Sequence, residues 1–344
     1  MRDKGLGRGV HVRRILSLAV AGVLALPGLA LADAANCHLN KVAEVPVTLE
    51  RNQPIVVASV NGTPIRALLD TGAEVTAISQ AGAARLGLEV SSQRRLVGIG
   101  GAAPMGQVKL NKLVAGDWWA DAPLVHVVQN DNFGPDVEMI LGQDIFAQYD
   151  VELDFANGAV RFFEPKGCDG VPLAYWAQDY AEAALRPTLP LGHRDIQVRV
   201  SLNERETWAL LDTGFTHSSV LLRTAHLANV HEEGADVAAG SEFHGIGKKR
   251  VPTWIATFAT FTIGEETVRR VRLNVGDFAL FGDPDRVNAI GMFLGADFAK
   301  THRIYVANSQ GKVFFTNVGR PVFAPRARDE DAAKAPDVKA PAAN

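Results

Sequence analysis

The same six residues, Ala-Leu-Leu-Asp-Thr-Gly, occur twice in this chain, at 67–72 and again at 209–214, 142 positions later. Each copy is an apolar run that ends in a carboxylate, a hydroxyl and a glycine, which is typical of a strand that enters a tight turn. If the two copies belong to equivalent halves, Asp70 and Asp212 face each other across the axis that relates them. The repeat therefore predicts a duplicated fold with one carboxylate from each half at its centre.

Two further landmarks recur in the same order after each copy. Gly-Ile-Gly occurs at 98–100 and 245–247, and Leu-Gly follows at 141–142 and 294–295. The offsets between matching landmarks grow from 142 to 147 and then to 153, so the second half carries loop insertions. Two long units of this kind indicate a domain duplication rather than a solenoid, which needs more and shorter repeats.

Strand and turn signals dominate both halves. In the first half, apolar runs at 55–60 and 65–69 flank Asn61-Gly62, a strong hairpin turn. In the second half, apolar and polar residues alternate over 196–202, as in a half-buried strand. The pattern predicts an all-β fold. The two predicted domains are 38–168 and 189–320.

The segments outside these domains differ in composition. Residues 1–32 combine a basic start with a 12-residue apolar run and small residues near Ala32, which predicts a cleaved secretory signal peptide. An uncleaved membrane anchor is the alternative. Residues 169–188 are interpreted as a linker with a helical stretch around 177–185. The Ala-, Pro- and charge-rich residues 321–344 are interpreted as a disordered tail.

Composition and the predicted export limit the classes of partner and cofactor that we expect for this protein. The chain has 344 residues and a formal net charge of −3, which gives no indication of nucleic-acid binding. Without the signal, no segment for stable membrane insertion remains, and we expect a periplasmic or secreted protein. Export permits a disulfide between Cys37 and Cys168, with two free thiols as the alternative. The histidines and cysteines show no metal-ligand spacing, so we expect neither a metal nor another cofactor.

Two carboxylates in buried turns that face each other have a specific acid–base chemistry. They cannot both ionise easily, so they share one proton and titrate as a coupled pair. The ionised carboxylate then accepts a proton from water, and the protonated one donates to the carbonyl oxygen under attack. Hydroxyls in the turns can hold the opposite loop, and glycines permit close approach. The residues predicted to support the pair of Asp70 and Asp212 are Thr71, Gly72, Thr213 and Gly214.

These motifs resemble those of retropepsin-like aspartic proteases, with two copies fused in one bacterial, exported chain. The resemblance implies two tandem β-barrel domains related by a pseudo-two-fold axis, with the active site between them. It also implies an extended polypeptide substrate that lies beneath two mobile flaps and adds backbone hydrogen bonds to them. The residues predicted at the flaps are Gly98, Ile99, Gly100, Gly245, Ile246 and Gly247.

The halves are not identical. The second turn continues with Phe215 and, two residues later, His217, where the first continues with Ala73, so the cleft is expected to be asymmetric. Asp144 and Asp297, also paired by the repeat, are interpreted as helix caps rather than catalytic groups.

The leading hypothesis is an aspartic endopeptidase that acts on exported or envelope proteins as a monomer with intramolecular pairing of its domains. A catalytically weak or silent peptide-binding protein of the same fold is the main alternative. A glycosidase is disfavoured because its carboxylates need a wider separation. Pairing of each half with the same half of another chain also remains open.

Overall fold

β-Branched and aromatic residues are frequent in both halves, and the computed structural model of the protein consists mainly of strands with a few short helices. The structure describes residues 36–98, 101–129, 133–134, 136–187, 195–234, 236–245, 250–278 and 290–323. The predicted signal peptide and the predicted tail beyond residue 323 lie outside these ranges.

The elements follow the order expected for a duplication. Strands of the first half are β1 (His38–Pro46), β2 (Thr48–Glu50), β3 (Gln53–Val60), β4 (Thr63–Leu69), β5 (Ala77–Ser79), β6 (Ser91–Gly98), β7 (Gly101–Lys109), β8 (Lys112–Ala115), β9 (Trp118–Asp121), β10 (Leu124–Val128), β11 (Met139–Leu141), β12 (Asp150–Asp154) and β13 (Ala159–Lys166). The later strands are β14 (Ala181–Ala184), β15 (Gln197–Leu202), β16 (Arg205–Leu211), β17 (Ser219–Leu221), β18 (Ala238–Ala239), β19 (Phe243–His244), β20 (Arg250–Val251), β21 (Thr253–Ile263), β22 (Glu266–Gly276), β23 (Met292–Leu294), β24 (His302–Ala307) and β25 (Lys312–Asn317). The described ranges contain the helices α1 (Gln80–Arg85), α2 (Gln143–Phe146), α3 (Leu222–Leu227) and α4 (Ala296–Ala299), and a 3-10 turn at Phe155–Asn157.

Each half folds around its own barrel-like sheet. The first sheet has ten strands in the order β6-β7-β10-β5-β11-β4-β3-β8-β9, with β2 paired to β3, and the second has seven in the order β15-β16-β23-β17-β22-β21-β18. The second sheet also closes on itself through a β15–β21 pairing. In the first sheet, β11 lies parallel to β4, which precedes Asp70, and antiparallel to β5, which follows it. In the second sheet, β23 has the same relation to β16 and β17 on either side of Asp212. The predicted duplicated all-β fold is confirmed.

The hairpin that leads to each Asp turns as the sequence predicts. Asn61 and Gly62 between β3 and β4 both have positive φ, 51° and 85°, as a two-residue hairpin turn requires. Asn203 and Glu204 take the same role between β15 and β16, with φ of 48° and 65°. The second turn uses a glutamate where the first has a glycine, so only the first was evident from the sequence.

A six-stranded sheet joins the two halves. Its order is β1-β13-β12-β24-β25-β14, and β12 of the first half pairs antiparallel with β24 of the second. Glu152 of β12 is fully buried there, and its carboxylate accepts hydrogen bonds from Arg161, Arg303 and Tyr175. Because buried charges need such partners, this cluster fixes the register between the halves. The described residues belong to one compact unit.

The segment between the halves is not helical. Residues Ala181–Ala184 form β14, which pairs with β25, and Leu185 forms an isolated bridge to Val198. The helix predicted around 177–185 is therefore wrong. An alanine-rich segment favours a helix locally, but here its backbone amides find partners at an open sheet edge. The limits of the two domains stay a prediction.

The two cysteines of the chain are joined. Cys37 and Cys168, at the start of β1 and just after the end of β13, form a disulfide with a Cα–Cα distance of 4.4 Å. The bond closes the ladder between these paired strands. Within the described ranges, no helix combines the length and the apolar character that crossing a bilayer requires.

Candidate active site

Asp70 and Asp212 each stand where a buried strand enters a turn. The Asp70 amide donates to the Leu141 carbonyl at 3.0 Å, and the Asp212 amide donates to the Leu294 carbonyl at 2.9 Å. The Leu-Gly landmark of each half thus lies directly beside the carboxylate of that half. The parallel pairs β4–β11 and β16–β23 continue to these residues and hold each turn at the end of its sheet.

The turn itself orients each carboxylate. Oδ1 of Asp70 accepts hydrogen bonds from the amides of Gly72 and Ala73 at 3.0 and 3.1 Å. The same two bonds form in the second turn, at 3.0 and 3.3 Å. These bonds leave the second oxygen of each carboxylate available to the opposite half.

The threonines of the two turns lock the halves together. Thr71 Oγ1 donates to the Leu211 carbonyl at 2.6 Å and accepts the Thr213 amide at 3.1 Å. Thr213 Oγ1 makes the reciprocal bonds to the Leu69 carbonyl at 2.6 Å and from the Thr71 amide at 3.1 Å. Both threonines are buried, so all four bonds are shielded from water. The structure therefore places both predicted supporting hydroxyls across the interface.

The glycines of the turns are a steric requirement. A Cβ atom on Gly72 would lie 2.1 Å from Cγ of Asp212, and one on Gly214 would lie 2.6 Å from Cγ of Asp70. Each carboxyl group therefore packs directly against the glycine of the opposite turn. The two carboxyl groups also hydrogen-bond to each other.

The surroundings of the two carboxyls raise the pKa of both. Burial raises the pKa of Asp70, while hydrogen bonds from Gly72 and from the Asp212 carboxyl oppose that shift. Burial, the charge of Asp70 and the hydrogen bond between them raise the pKa of Asp212 well above its usual range. Asp212 is also the more buried of the two. Both carboxyls therefore favour the protonated form more than a free aspartate does, and the pair holds one proton that its two members share.

A second pair of carboxylates supports the site from outside the dyad. Asp144 Oδ1 accepts the amide and the hydroxyl of Thr76 at 2.8 and 2.7 Å. Asp297 Oδ1 accepts the amide and the hydroxyl of Ser218 at 2.8 and 2.6 Å. Thr76 and Ser218 each stand six residues after the dyad Asp, so these bonds anchor the far end of each active-site turn.

The prediction that Asp144 and Asp297 cap helices is wrong. The cap positions of α2 and α4 are Gly142 and Gly295, neither of which makes a side-chain cap bond. The two carboxylates stand in the first turn of their helices and point to a loop instead. Their partners, Thr76 and Ser218, repeat at the 142-residue offset of the dyad, so the duplication in the sequence marks these two hydroxyls as part of the site.

A further contact between the Asp212 turn and the first half, through Asn52, was not predicted from the sequence. The Asn52 side chain, at the turn between β2 and β3, donates to the Thr216 carbonyl at 3.1 Å. Lys300, just after α4, donates to Asn52 Oδ1 at 2.9 Å. Asn52 precedes Thr216 by 164 residues, so only the tertiary fold brings them together.

The two flap segments are described in part. Gly98 ends β6 and pairs with Gly101 of β7, which forms a hairpin. Gly245 follows β19, which pairs with β20 in a shorter hairpin. The other predicted flap residues, Ile99, Gly100, Ile246 and Gly247, lie outside the described residues.

One group of potential metal ligands occurs in the described part of the chain. His226, His231 and Glu232 have ligand atoms within 4.8 Å of one another, and all three are exposed near the end of α3. Sequence spacing did not suggest this group. Neither Asp70 nor Asp212 belongs to it, and the chemistry of the two turns needs no metal.

Comparisons with known proteins agree with this geometry. The family model described as "Aspartyl protease" matches residues 56–145 and 198–298, which include both hexapeptides. Among solved structures, the crystal structure of aspartic proteinase from Irpex lacteus aligns with a TM-score of 0.53 and 12% identity, over 80% of this chain and 97% of that chain. A likeness at this identity concerns the fold. Among curated proteins, no sequence matches significantly.

Proposed function

Since the chain belongs to the aspartyl protease family, we propose that it is an aspartic endopeptidase that hydrolyses peptide bonds of exported or envelope proteins. The observation that carries the proposal is the approach of the Asp70 and Asp212 carboxyls across two interlocked turns, where burial raises the pKa of both.

The reaction assigns a different role to each carboxyl. The Asp70 carboxylate accepts a proton from a water whose oxygen attacks the peptide carbonyl carbon, while Asp212 donates its proton to the carbonyl oxygen. The resulting tetrahedral diol then collapses. Its C–N bond breaks as the nitrogen takes a proton from Asp70 and a hydroxyl returns its proton to Asp212, which restores the pair. Atoms and protons balance without a covalent intermediate.

The hairpins, the N-terminal segment and the presence of both half-sites in one chain support a proposed substrate class, localisation and oligomeric state. An extended polypeptide is the substrate, because the hairpins that end near Gly98 and Gly245 offer strand edges for backbone hydrogen bonds. A signal at 1–32 would deliver the enzyme to the periplasm or outside the cell. Both half-sites are in one chain, which supports a monomer as the active form.

The test is cleavage of an unfolded protein by the full-length chain expressed with its own leader. Asp70→Asn and Asp212→Asn should each lower kcat/KM by at least about 1,000-fold, because each removes one of the two proton-transfer groups. Asp117→Asn, at an exposed turn, is the matched control and should retain full activity. Full activity in either dyad variant would overturn the mechanism. Saturable peptide binding without cleavage by the wild type between pH 3 and 8 would favour a silent binding protein.

A further inference from the structure

Among the described residues, three smaller apolar clusters lie apart from the main core, and two of them belong to a single half, one to each. The cluster of the first half, here called the first wall, contains Leu68, Ala73, Phe133 and Ile140 among its members. The cluster of the second half, here called the second wall, contains Leu210, Phe215, Phe243, Phe278 and Phe293. The aromatic content of the two walls therefore differs sharply.

Both walls lie on the sheet faces that carry the dyad. Side chains two residues apart along a strand point to the same face. Leu68 precedes Asp70 by two residues, and Leu210 precedes Asp212 by two. The neighbours of Leu210 in β16, Ala209 and Leu211, instead belong to the main core on the opposite face. By this alternation, each wall shares its sheet face with the dyad carboxylate of the same half.

The duplication gives the walls matching positions with different side chains. Ala73 and Phe215 each follow their dyad Asp by three residues, and Ile140 and Phe293 each precede a Leu-Gly. A methyl group and a branched aliphatic chain in the first wall correspond to two aromatic rings in the second. Ala73 is partly exposed, whereas Phe215 is 7% exposed and Phe293 is fully buried.

The rings of the second wall pack around Phe215, which follows Asp212 by three residues in the chain. Phe215 stacks on Phe293 with ring centres 4.2 Å apart and on Phe243 with centres 5.0 Å apart. Phe278 packs edge-on against Phe215 at 5.8 Å. Phe243 belongs to β19 of the second hairpin, so this stack also connects the base of that hairpin to the turn after Asp212. Dense aromatic packing of this kind leaves little free volume.

We propose that the two walls select opposite side chains of the substrate, with a large apolar residue against the first wall and a small residue against the second. This inference rests on the proposed function and specifies its substrate class. The axis that relates the halves also exchanges the two sides of the scissile bond, so the walls contact residues on opposite sides of it. Ala73 and Phe215 are the specificity-determining pair.

The test measures binding, so it does not depend on turnover. The probes are two hydroxyethylene peptide isosteres that carry Leu on one side of the uncleavable bond and Ala on the other, in the two orders. Calorimetry should show that the wild type binds one of these two isosteres at least about tenfold tighter than the other. A few methylene groups in an apolar pocket are enough to produce such a ratio of affinities. Phe215→Ala should reduce that ratio to about threefold or less by strengthening the weaker order.

Two further variants distinguish a change of selectivity from misfolding of the protein. Phe215→Leu keeps an apolar side chain in the stack and should give an intermediate ratio, and Ala73→Leu should weaken the preferred order in the otherwise unchanged protein. Equal affinity of the wild type for both orders, or a ratio that none of the variants alters, would overturn the inference. Binding with the expected ratio but without cleavage of any peptide would overturn only the proposed catalysis.

Discussion

Thr71 and Thr213 each accept the other's backbone amide at 3.1 Å and each donate to a carbonyl of the opposite strand at 2.6 Å. Side chains from two turns 142 residues apart thus satisfy one another inside a dry interface. Because the dyad residues directly precede these threonines, any loss of the interlock changes the distance between the carboxyls.

Removal of one hydroxyl from this interlock should destabilise the protein. Thr71→Val leaves the Thr213 amide and the Leu211 carbonyl unpaired in the interior, which should lower the free energy of unfolding by about 2–4 kcal/mol. Urea denaturation measures this. Thr71→Ser keeps the hydroxyl and serves as the control. Equal stability of the Val and Ser variants would contradict the role assigned to these bonds.

Replacement of Asp212 should change how stability depends on pH. The pKa of Asp212 is raised on folding above its ordinary value of 3.8, so the folded pair retains a proton that the unfolded chain has lost. Stability due to this group is full below pH 4 and falls as pH rises towards the folded pKa, by up to about 1.4 kcal/mol per pH unit. The Asp212→Asn variant lacks this titrating carboxyl, so its free energy of unfolding does not show that decrease.

The free energies of unfolding of the wild type and Asp212→Asn should therefore diverge in favour of the variant above pH 4. Urea denaturation at several pH values measures the divergence, with Asp117→Asn as the surface control. A difference between wild type and Asp212→Asn that stays constant from pH 3 to 7 would exclude the shared proton.

A methyl group on Gly72 should disable the site. The Cβ of Gly72→Ala would lie 2.1 Å from Cγ of Asp212, a short and fixed side chain, so that carboxyl must move. We expect kcat/KM to fall at least about 100-fold, since displacements near 1 Å have that effect. Gly134→Ala, whose new methyl would be 3.4 Å from its nearest neighbour, should retain activity. An active Gly72→Ala enzyme would show that the turns do not approach as described.

Loss of the disulfide should lower stability without altering the dyad. The bond between Cys37 and Cys168 closes a loop with a sequence separation of 131, for which chain entropy predicts a contribution of up to about 5 kcal/mol. The double variant Cys37→Ser, Cys168→Ser should therefore unfold at lower urea concentration and keep its activity at 25 °C. An unchanged midpoint would mean that the bond does not constrain the unfolded chain.

Much of the fold was predictable from local patterns. Asn61-Gly62 between apolar runs predicted the first hairpin, and three landmarks in duplicate predicted two related β-domains. These signals are local, because turn conformation and strand alternation depend on neighbouring residues.

The errors arose where a distant segment supplied the partner. The stretch around 177–185 is a strand because β25 offers it an edge, and Asp144 binds Thr76, which lies 68 residues before it, rather than capping its helix. Phe215 was evident as a bulky residue, but its stack with Phe243 and Phe293 was not. Local propensity is weak beside such tertiary contacts.

The repeated hexapeptide shows the limit of the sequence most clearly. By itself it determined that two equivalent turns exist and that each supplies one carboxylate. Identical hexapeptides, however, cannot indicate which carboxyl holds the proton. The tertiary structure decided the surroundings of each carboxyl: it buries Asp212 more deeply than Asp70 and raises the pKa of both, because the proton-binding strength of a carboxyl depends on burial and on neighbouring charge.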